Sequence, residues 1–303
     1  MFKDHLLKEV LEILDLNEFR SLAFRGCFDV LTKKDDTLMI KVLTNIDSFS
    51  REHANNLKIM SDFLLSKSLT ISVRSNRGAL SDNVIYSRFG IPIMTIDSFR
   101  NIITNDWLPS VFAIKGKHVV HIDVNLLRNS REKMGLSLEE LGKKVDISKK
   151  SLYEIENKRV NPTEEAVDKL EEFFDIKLSK NYEIEVARDY DEIYPKTNFQ
   201  KKIHSEFSRL KINSSCLSCS PFDIVGKKKE TFLTGLSENE GNLEQRSKIL
   251  NDISSLVDTL SVFISKNSKV ENVDGVPVIS KSEIDELDSY RDFTCLIKER
   301  RTR

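Results

Sequence analysis

Apolar residues Leu6, Leu7, Val10, Leu11 and Leu14 recur at spacings that place them on one side of a helix, so residues 3–16 are expected to be an amphipathic helix. The pattern then shortens. Ser21-Leu-Ala-Phe and Phe28-Asp-Val-Leu are followed by the polar turn Lys33-Lys34-Asp35-Asp36 and the apolar run Leu38-Met-Ile-Lys-Val-Leu, which read as short strands joined by a hairpin. Helical periodicity returns over residues 50–66. Leu69-Thr-Ile-Ser-Val-Arg and Gly90-Ile-Pro-Ile-Met-Thr-Ile are strand-like, and a further small β-like stretch lies within 115–124. Helices alternating with apolar strands predict α/β layers around a mostly buried sheet.

From about residue 126 to 174 the pattern is helical and carries its own punctuation. Gly135 ends a first helix. Ser137 begins a second as N-cap, with Glu140 three residues later completing a capping box. Asp146-Ile147 makes a tight turn, and Ser148 caps a third helix that runs to about Glu156. Asn161-Pro162-Thr163 interrupts the chain and caps a fourth, from Glu164 to Phe174. Leu138, Leu141, Val145, Ile147, Leu152, Ile155, Val167, Leu170 and Phe173 fall on the faces that pack these helices together.

Two short helices joined by such a turn present the second outward, with its N-terminal side chains placed to enter the major groove of DNA. Lys149, Lys150, Ser151 and Glu154 are the candidates for contact with bases and near-base groups. Ser137, Lys143, Lys144, Lys158 and Arg159 flank that surface and are the candidates for phosphate contact.

The segment beyond residue 196 repeats the first. Phe28-Asp29-Val30-Leu31, Lys33-Lys34 and Thr37 match Phe222-Asp223-Ile224-Val225, Lys227-Lys228 and Thr231 without a gap, and Gly90-Ile-Pro-Ile-Met-Thr matches Gly275-Val-Pro-Val-Ile-Ser. The expected organisation is an α/β domain over 1–118, the helical module over 122–178, a polar linker over 179–196, and a second α/β domain over 197–303. Trp107 beside Pro109 reads as a packing anchor at a domain edge.

Charge sharpens this picture. The 303 residues hold 47 Lys and Arg against 48 Asp and Glu, a net charge of -1, so nucleic acid must be met by a local patch and not by the whole chain. Between Arg128 and Arg159 nine basic residues stand against six acidic ones, which supplies that patch. No apolar run approaches a membrane span and the N-terminus lacks a secretory apolar stretch, so a cytoplasmic protein is expected. Cys27, Cys216, Cys219 and Cys295 form no disulfide framework. The lone C-x-x-C of Cys216 and Cys219 has no second ligand pair, so packed thiols are the expectation. The histidines have no metal-site spacing, and there is neither a Walker loop nor a nucleophile elbow. Neither metal nor cofactor is expected.

Gly135-Leu136-Ser137, Glu140-Leu141, Ser148 and Ile155-Glu156-Asn157-Lys158 resemble the pattern of the Cro/repressor-like, Xre-type helix-turn-helix family. Glu139 departs from it: many members place there a Gln that binds phosphate, and a carboxylate would repel one. Gly142 stands where a small Ala is usual at the helix crossing. The order helix, hairpin with Asp29, strand ending in Lys41, helix, strand resembles the restriction-endonuclease-like and Holliday-resolvase-like fold. Such enzymes hold Mg²⁺ through an Asp and a second carboxylate two residues before a Lys. Glu9 and Asp29 are present, but Met39 stands where the second carboxylate belongs, with Asp47 or Glu52 as conceivable substitutes. In the second copy Asp223 remains while Leu233 and Gly235 replace the other two positions. The resemblance therefore implies two catalytically dead domains with no catalytic residues. As a whole the chain resembles a family of archaeal helix-turn-helix transcriptional regulators.

The function expected is a sequence-specific regulator that binds double-stranded DNA as a homodimer, without enzymatic activity and without a membrane partner. The alternative is a DNA-structure-binding repair or recombination protein, or a metal-dependent nuclease using the N-terminal domain.

Overall fold

A computed structural model describes residues 2–105, 108–114, 116–238 and 243–301, so the expectation for Trp107 lies outside the described residues. In chain order the elements are α1 (Phe2–Leu16), β1 (Arg20–Ala23), β2 (Val30–Lys33), β3 (Thr37–Val42), α2 (Arg51–Leu64), β4 (Lys67–Ile71), β5 (Arg74–Ser75), β6 (Gly78–Ala79), β7 (Val84–Arg88), β8 (Ile91–Met94), α3 (Ile96–Asn105), β9 (Val111–Ile114) and β10 (Lys117–Val120). Then follow α4 (Val124–Lys133), α5 (Leu138–Val145), α6 (Lys149–Glu156), α7 (Glu164–Phe174), α8 (Asn198–Arg209), β11 (Asn213–Cys216), β12 (Ile224–Lys227), β13 (Thr231–Ser237), α9 (Leu243–Leu256), β14 (Leu260–Ser265), β15 (Asn272–Val273), β16 (Val276–Ser280), α10 (Lys281–Glu286) and α11 (Tyr290–Arg301). The fold is mixed α/β with a helix-turn-helix module. Among the described residues no helix is long and apolar enough to cross a membrane.

The chain divides into two compact units: Met1–Thr70 with Phe89–Ile91 and Ile184–Arg303, and Ile71–Arg88 with Pro92–Glu183. In the first unit, β1, β2 and β3 form an antiparallel meander in which Val30 pairs with Ile40 and Leu31 with Met39. Strands β11, β12 and β13 make the same meander, with Ile224 opposite Thr234 and Val225 opposite Leu233. Strand β14 then runs parallel to both β13 and β16.

Positions that correspond in the two sequences occupy matching places. Asp29 accepts the Val42 N–H on Oδ2 at 2.8 Å, and Asp223 accepts the Leu236 N–H on Oδ2 at 2.6 Å. The Ser61 and Ser68 hydroxyls share a hydrogen bond between helix and strand, as those of Ser254 and Ser261 do. Helix α2 packs on β12 while α9 packs on β1 and β2, a reciprocal exchange. One apolar core results, holding Phe28, Leu31, Met39, Leu57 and Met60 beside Phe222, Val225, Leu233, Leu250 and Ile253. A second core behind β12 to β16 buries Phe207, Phe232 and Phe293, whose ring centres lie 5.3–5.5 Å apart, with Phe232 edge to face with the other two.

The polar stretch after residue 183 lies along α2 as an ordered strap. Asn55 and Asp191 exchange two hydrogen bonds, Asn55 Nδ2 to the Asp191 carbonyl at 2.5 Å and the Asp191 N–H to Asn55 Oδ1 at 2.8 Å. The Tyr190 hydroxyl donates to Asp62 at 2.8 Å. Burial beside that carboxylate pushes the phenol up to about 12.

In the second unit the helical module is continuous with a small sheet. Strand β7 pairs parallel with β9, and β9 antiparallel with β10. The Val120 N–H reaches the Pro162 carbonyl at 2.9 Å, and Ile122 bridges Ser179. Val84, Val111, Val120 and Ile122 share a core with Leu127, Leu141, Val145, Leu152, Ile155, Val167 and Leu170. Leu138, Ile147 and Phe173 are partly buried against it. Strands β7 and β9 and helix α3 are absent from the sequence reading, although Ile96, Phe99 and Ile103 stand at helical spacing in α3. The strand-like run read from the sequence is β8, and its residues from Ile91 to Met94 are all buried.

Candidate nucleic-acid interface

Helix α4 ends in a Schellman motif because Gly135 adopts a φ of 65°. Its N–H donates to Glu132 O at 2.9 Å and that of Leu136 to Arg131 O at 3.1 Å. The box at α5 is complete: the Glu140 N–H donates to Ser137 Oγ at 3.2 Å, and the Ser137 N–H to Glu140 Oε2 at 2.8 Å. That backbone donor holds the Glu140 carboxyl below its ordinary range. Asp146 caps α5 in the left-handed region at a φ of 54°, and the Ile147 N–H returns to the Gly142 carbonyl at 3.0 Å. The crossing is tighter than the sequence implied. A Cβ on Gly142 would stand 2.4 Å from the Ile147 carbonyl oxygen.

Ser148 then starts α6, accepting the Ser151 N–H at 3.0 Å. Leu152 and Ile155 turn inward, which leaves Lys149, Lys150 and Ser151 exposed on the first turn. The Ser151 hydroxyl is engaged with Ser148 Oγ at 2.8 Å. Glu154 is partly buried and pairs with Arg159 at 3.3 Å. Tyr153 shares the exposed face, with the Arg159 guanidinium 5.5 Å from its ring centre. The sequence reading missed Tyr153, although its place one residue after buried Leu152 marks it as outward-facing.

Of the phosphate candidates, Lys143 lies 3.2 Å from Glu139 and Lys144 stands 6.0 Å from the Phe173 ring. Lys158 is exposed just beyond α6 at a φ of 57°. Ser137 is occupied by its capping box. Lys143, with Lys149 at 3.6 Å, draws the Glu139 carboxyl below its usual range. Its charge is thereby offset, and both lysines are held beside the module.

Not every cation of the basic stretch belongs to that surface. Arg131 grips buried Glu156 with two nitrogens at 2.7 and 2.9 Å and donates to the Leu136 carbonyl at 2.8 Å. Arg128 donates to the Glu156 carbonyl at 2.6 Å. These two arginines tie α4 to α6, a role that the sequence count had credited to the DNA patch.

The nuclease-like position is filled by the protein's own cations. Asp29 has Lys3 Nζ 2.8 Å from Oδ1 and Lys41 Nζ 3.2 Å from Oδ2, beside the bond from Val42. Met39 is fully buried in the shared core and offers a hard cation no oxygen. Glu52 pairs with Lys196 at 3.2 Å. In the second copy Arg246 binds Asp223 at 2.6 Å, and a Cβ on Gly235 would meet the Phe263 ring at 2.4 Å. Among the described residues neither place gathers three His, Cys, Asp or Glu side chains that could hold a metal ion.

Residues 3–109 match the PD-(D/E)XK superfamily domain and residues 127–181 match the helix-turn-helix family. A protein of Methanothermobacter thermautotrophicus is 32% identical over 99% of this chain and 97% of its own length. The chain belongs to that protein's family. Two further relatives come from Pyrococcus: one of Pyrococcus furiosus is 30% identical, with 100% of this chain and 99% of its own covered. One of Pyrococcus horikoshii is 31% identical over 99% and 98%. All three bear the provisional name HTH-type transcriptional regulatory protein. No solved structure matches the chain.

Proposed function

We propose that this protein is a sequence-specific DNA-binding transcriptional regulator with α6 as its recognition helix. The exposed first turn of α6, fixed by the Ser148 cap on a helix whose other face is locked into the core, carries the reading. Lys149, Lys150, Ser151 and Glu154 address bases, while Ser137, Lys143, Lys144, Lys158 and Arg159 address phosphates. The relatives' shared name supports the same assignment. The protein acts in the cytoplasm, where DNA is available to it.

One module per chain reads a half-site, so the operator is bound by a homodimer whose recognition helices stand about 34 Å apart. Matching hydrogen bonds in the two meanders support a duplicated α/β domain, 1–118 and 197–303, around the module at 122–178 and the linker at 179–196. Because the two copies already fill one core with each other, dimerisation uses a surface outside that core. The cations lodged at Asp29 and Asp223 support a non-enzymatic role for both copies.

Selection from genomic fragments at near-physiological salt tests this, with the Lys149→Ala/Lys150→Ala double variant in parallel. The wild type enriches a short palindromic site, and the variant loses roughly ten- to a hundredfold in affinity for it. Equal retention of all fragments by both proteins would refute the assignment. The family match of residues 3–109 favours a nuclease as the second reading. Cleavage of plasmid or branched DNA in Mg²⁺ or Mn²⁺ that Asp29→Asn abolishes would establish it.

A further inference from the structure

The C-x-x-C motif does not act as a unit. Cys216 is buried at the end of β11, where burial pushes its thiol up to about 12. Cys219 sits in the loop before Phe222 and faces the first α/β copy. Its carbonyl oxygen accepts the Cys27 N–H at 3.0 Å. The approach is so close that a Cβ on Gly26 would lie 2.8 Å from the same oxygen. The Cys27 and Cys219 thiols also perturb one another's titration. Cys27 is fully buried and Cys219 half-buried, so one member of the pair is open to a small solute. Lys41 adds positive charge beside them, donating to the Gly26 carbonyl at 2.5 Å.

We propose that Cys27 and Cys219 form an oxidisable pair that hydrogen peroxide converts into a disulfide joining the two α/β copies. A backbone bond of this length holds the two α-carbons within about 7 Å of one another, inside the outer limit of a disulfide. The two sulfurs divide the work by environment. The contact with Cys27 holds the Cys219 thiol below its ordinary value, whereas the same contact and burial push Cys27 up. Cys219 therefore reacts first, because the thiolate is the nucleophile. Its sulfur attacks a peroxide oxygen, the O–O bond breaks, and the departing hydroxide becomes water, leaving a sulfenic acid. The Cys27 sulfur then attacks the Cys219 sulfur, the S–O bond breaks, and the Cys27 proton leaves with the hydroxide as a second water. Two thiols lose two electrons, and one peroxide becomes two waters.

The test treats the reduced full-length protein with an equimolar amount of hydrogen peroxide, blocks free thiols with a maleimide, and maps peptides without reduction. The expected first product is the Cys27 peptide joined to the Cys219 peptide, with a mass decrease of two hydrogens that dithiothreitol reverses. Cys219→Ser abolishes the link. Cys27→Ser leaves a dimedone-reactive sulfenic acid on Cys219, while Cys216→Ser and Cys295→Ser leave the link intact. A Cys216–Cys219 link, a link between chains through Cys295, or over-oxidised Cys219 with free Cys27 as the first product would overturn the proposal, and the wild-type map alone decides among these.

Discussion

Glu156→Ala removes the carboxylate that fastens α4 to the recognition helix, and its effect follows from the burial of the three side chains involved. Glu156 is 4% exposed, Arg131 13% and Arg128 42%. Breaking a buried pair by removing one partner costs about 3–5 kcal/mol, because the remaining charge loses its solvation and its partner together. Arg131 keeps the Leu136 carbonyl, and Arg128 reaches water, which lowers the expectation to about 2–3 kcal/mol. At 1.4 kcal/mol per tenfold, amides of α6 such as Leu152 and Ile155 should exchange with deuterium roughly 30 to 150 times faster. Amides in α11, which belongs to the other compact unit, should keep their rates. Native-state hydrogen exchange with peptide mass readout on the full chain makes both measurements at once. The Arg131→Met/Glu156→Met double variant should recover most of the protection, since apolar replacement removes both charges. A change below about threefold in Glu156→Ala, or an equal change in both units, would refute this account of how α6 is held.

Three further outcomes follow from the same geometry. Gly142→Ala should destabilise the α5–α6 turn by about 1–3 kcal/mol, because the new methyl meets the Ile147 carbonyl, and exchange at the Ile147 amide reports it. Asp29→Ala leaves Lys41, 5% exposed, without its carboxylate and should cost about 3 kcal/mol, seen as faster proteolysis around the first hairpin, with Asp29→Asn milder. Arg300 draws the Glu283 carboxyl down from 4.5 to about 2, so its contribution to stability is complete above about 4.5 and is lost as pH falls toward 2. With 37% of the Glu283 side chain exposed, water screens the pair and the slope should be shallow. Glu283→Gln should flatten that slope in an acid titration of α10 and α11, and an unchanged slope would assign the acid sensitivity elsewhere.

The helix-turn-helix was legible because its determinants are local. Ser137 and Glu140, Ser148 and Ser151, and Thr163 and Ala166 stand three residues apart, so caps and turns are written in consecutive side chains. The apolar rhythm likewise fixed which faces of α5 to α7 turn inward, and the strand hairpins announced themselves by short apolar runs and polar turns. What the linear pattern could not weigh was charge and contact across distance. Lys3 reaches Asp29 across 26 residues, and Arg131 reaches Glu156 across 25. Asn55 clasps Asp191 across 136. Cys219 finds Cys27 and not its sequence neighbour Cys216. The matching of Phe28-Asp29-Val30-Leu31 with Phe222-Asp223-Ile224-Val225 was visible in the sequence, but only the folded chain decided that Phe28 and Leu31 would share one core with Phe222 and Val225. Local hydrogen bonds depend on residues that every conformation keeps close, whereas ion pairs and shared cores depend on which surfaces the whole chain brings together.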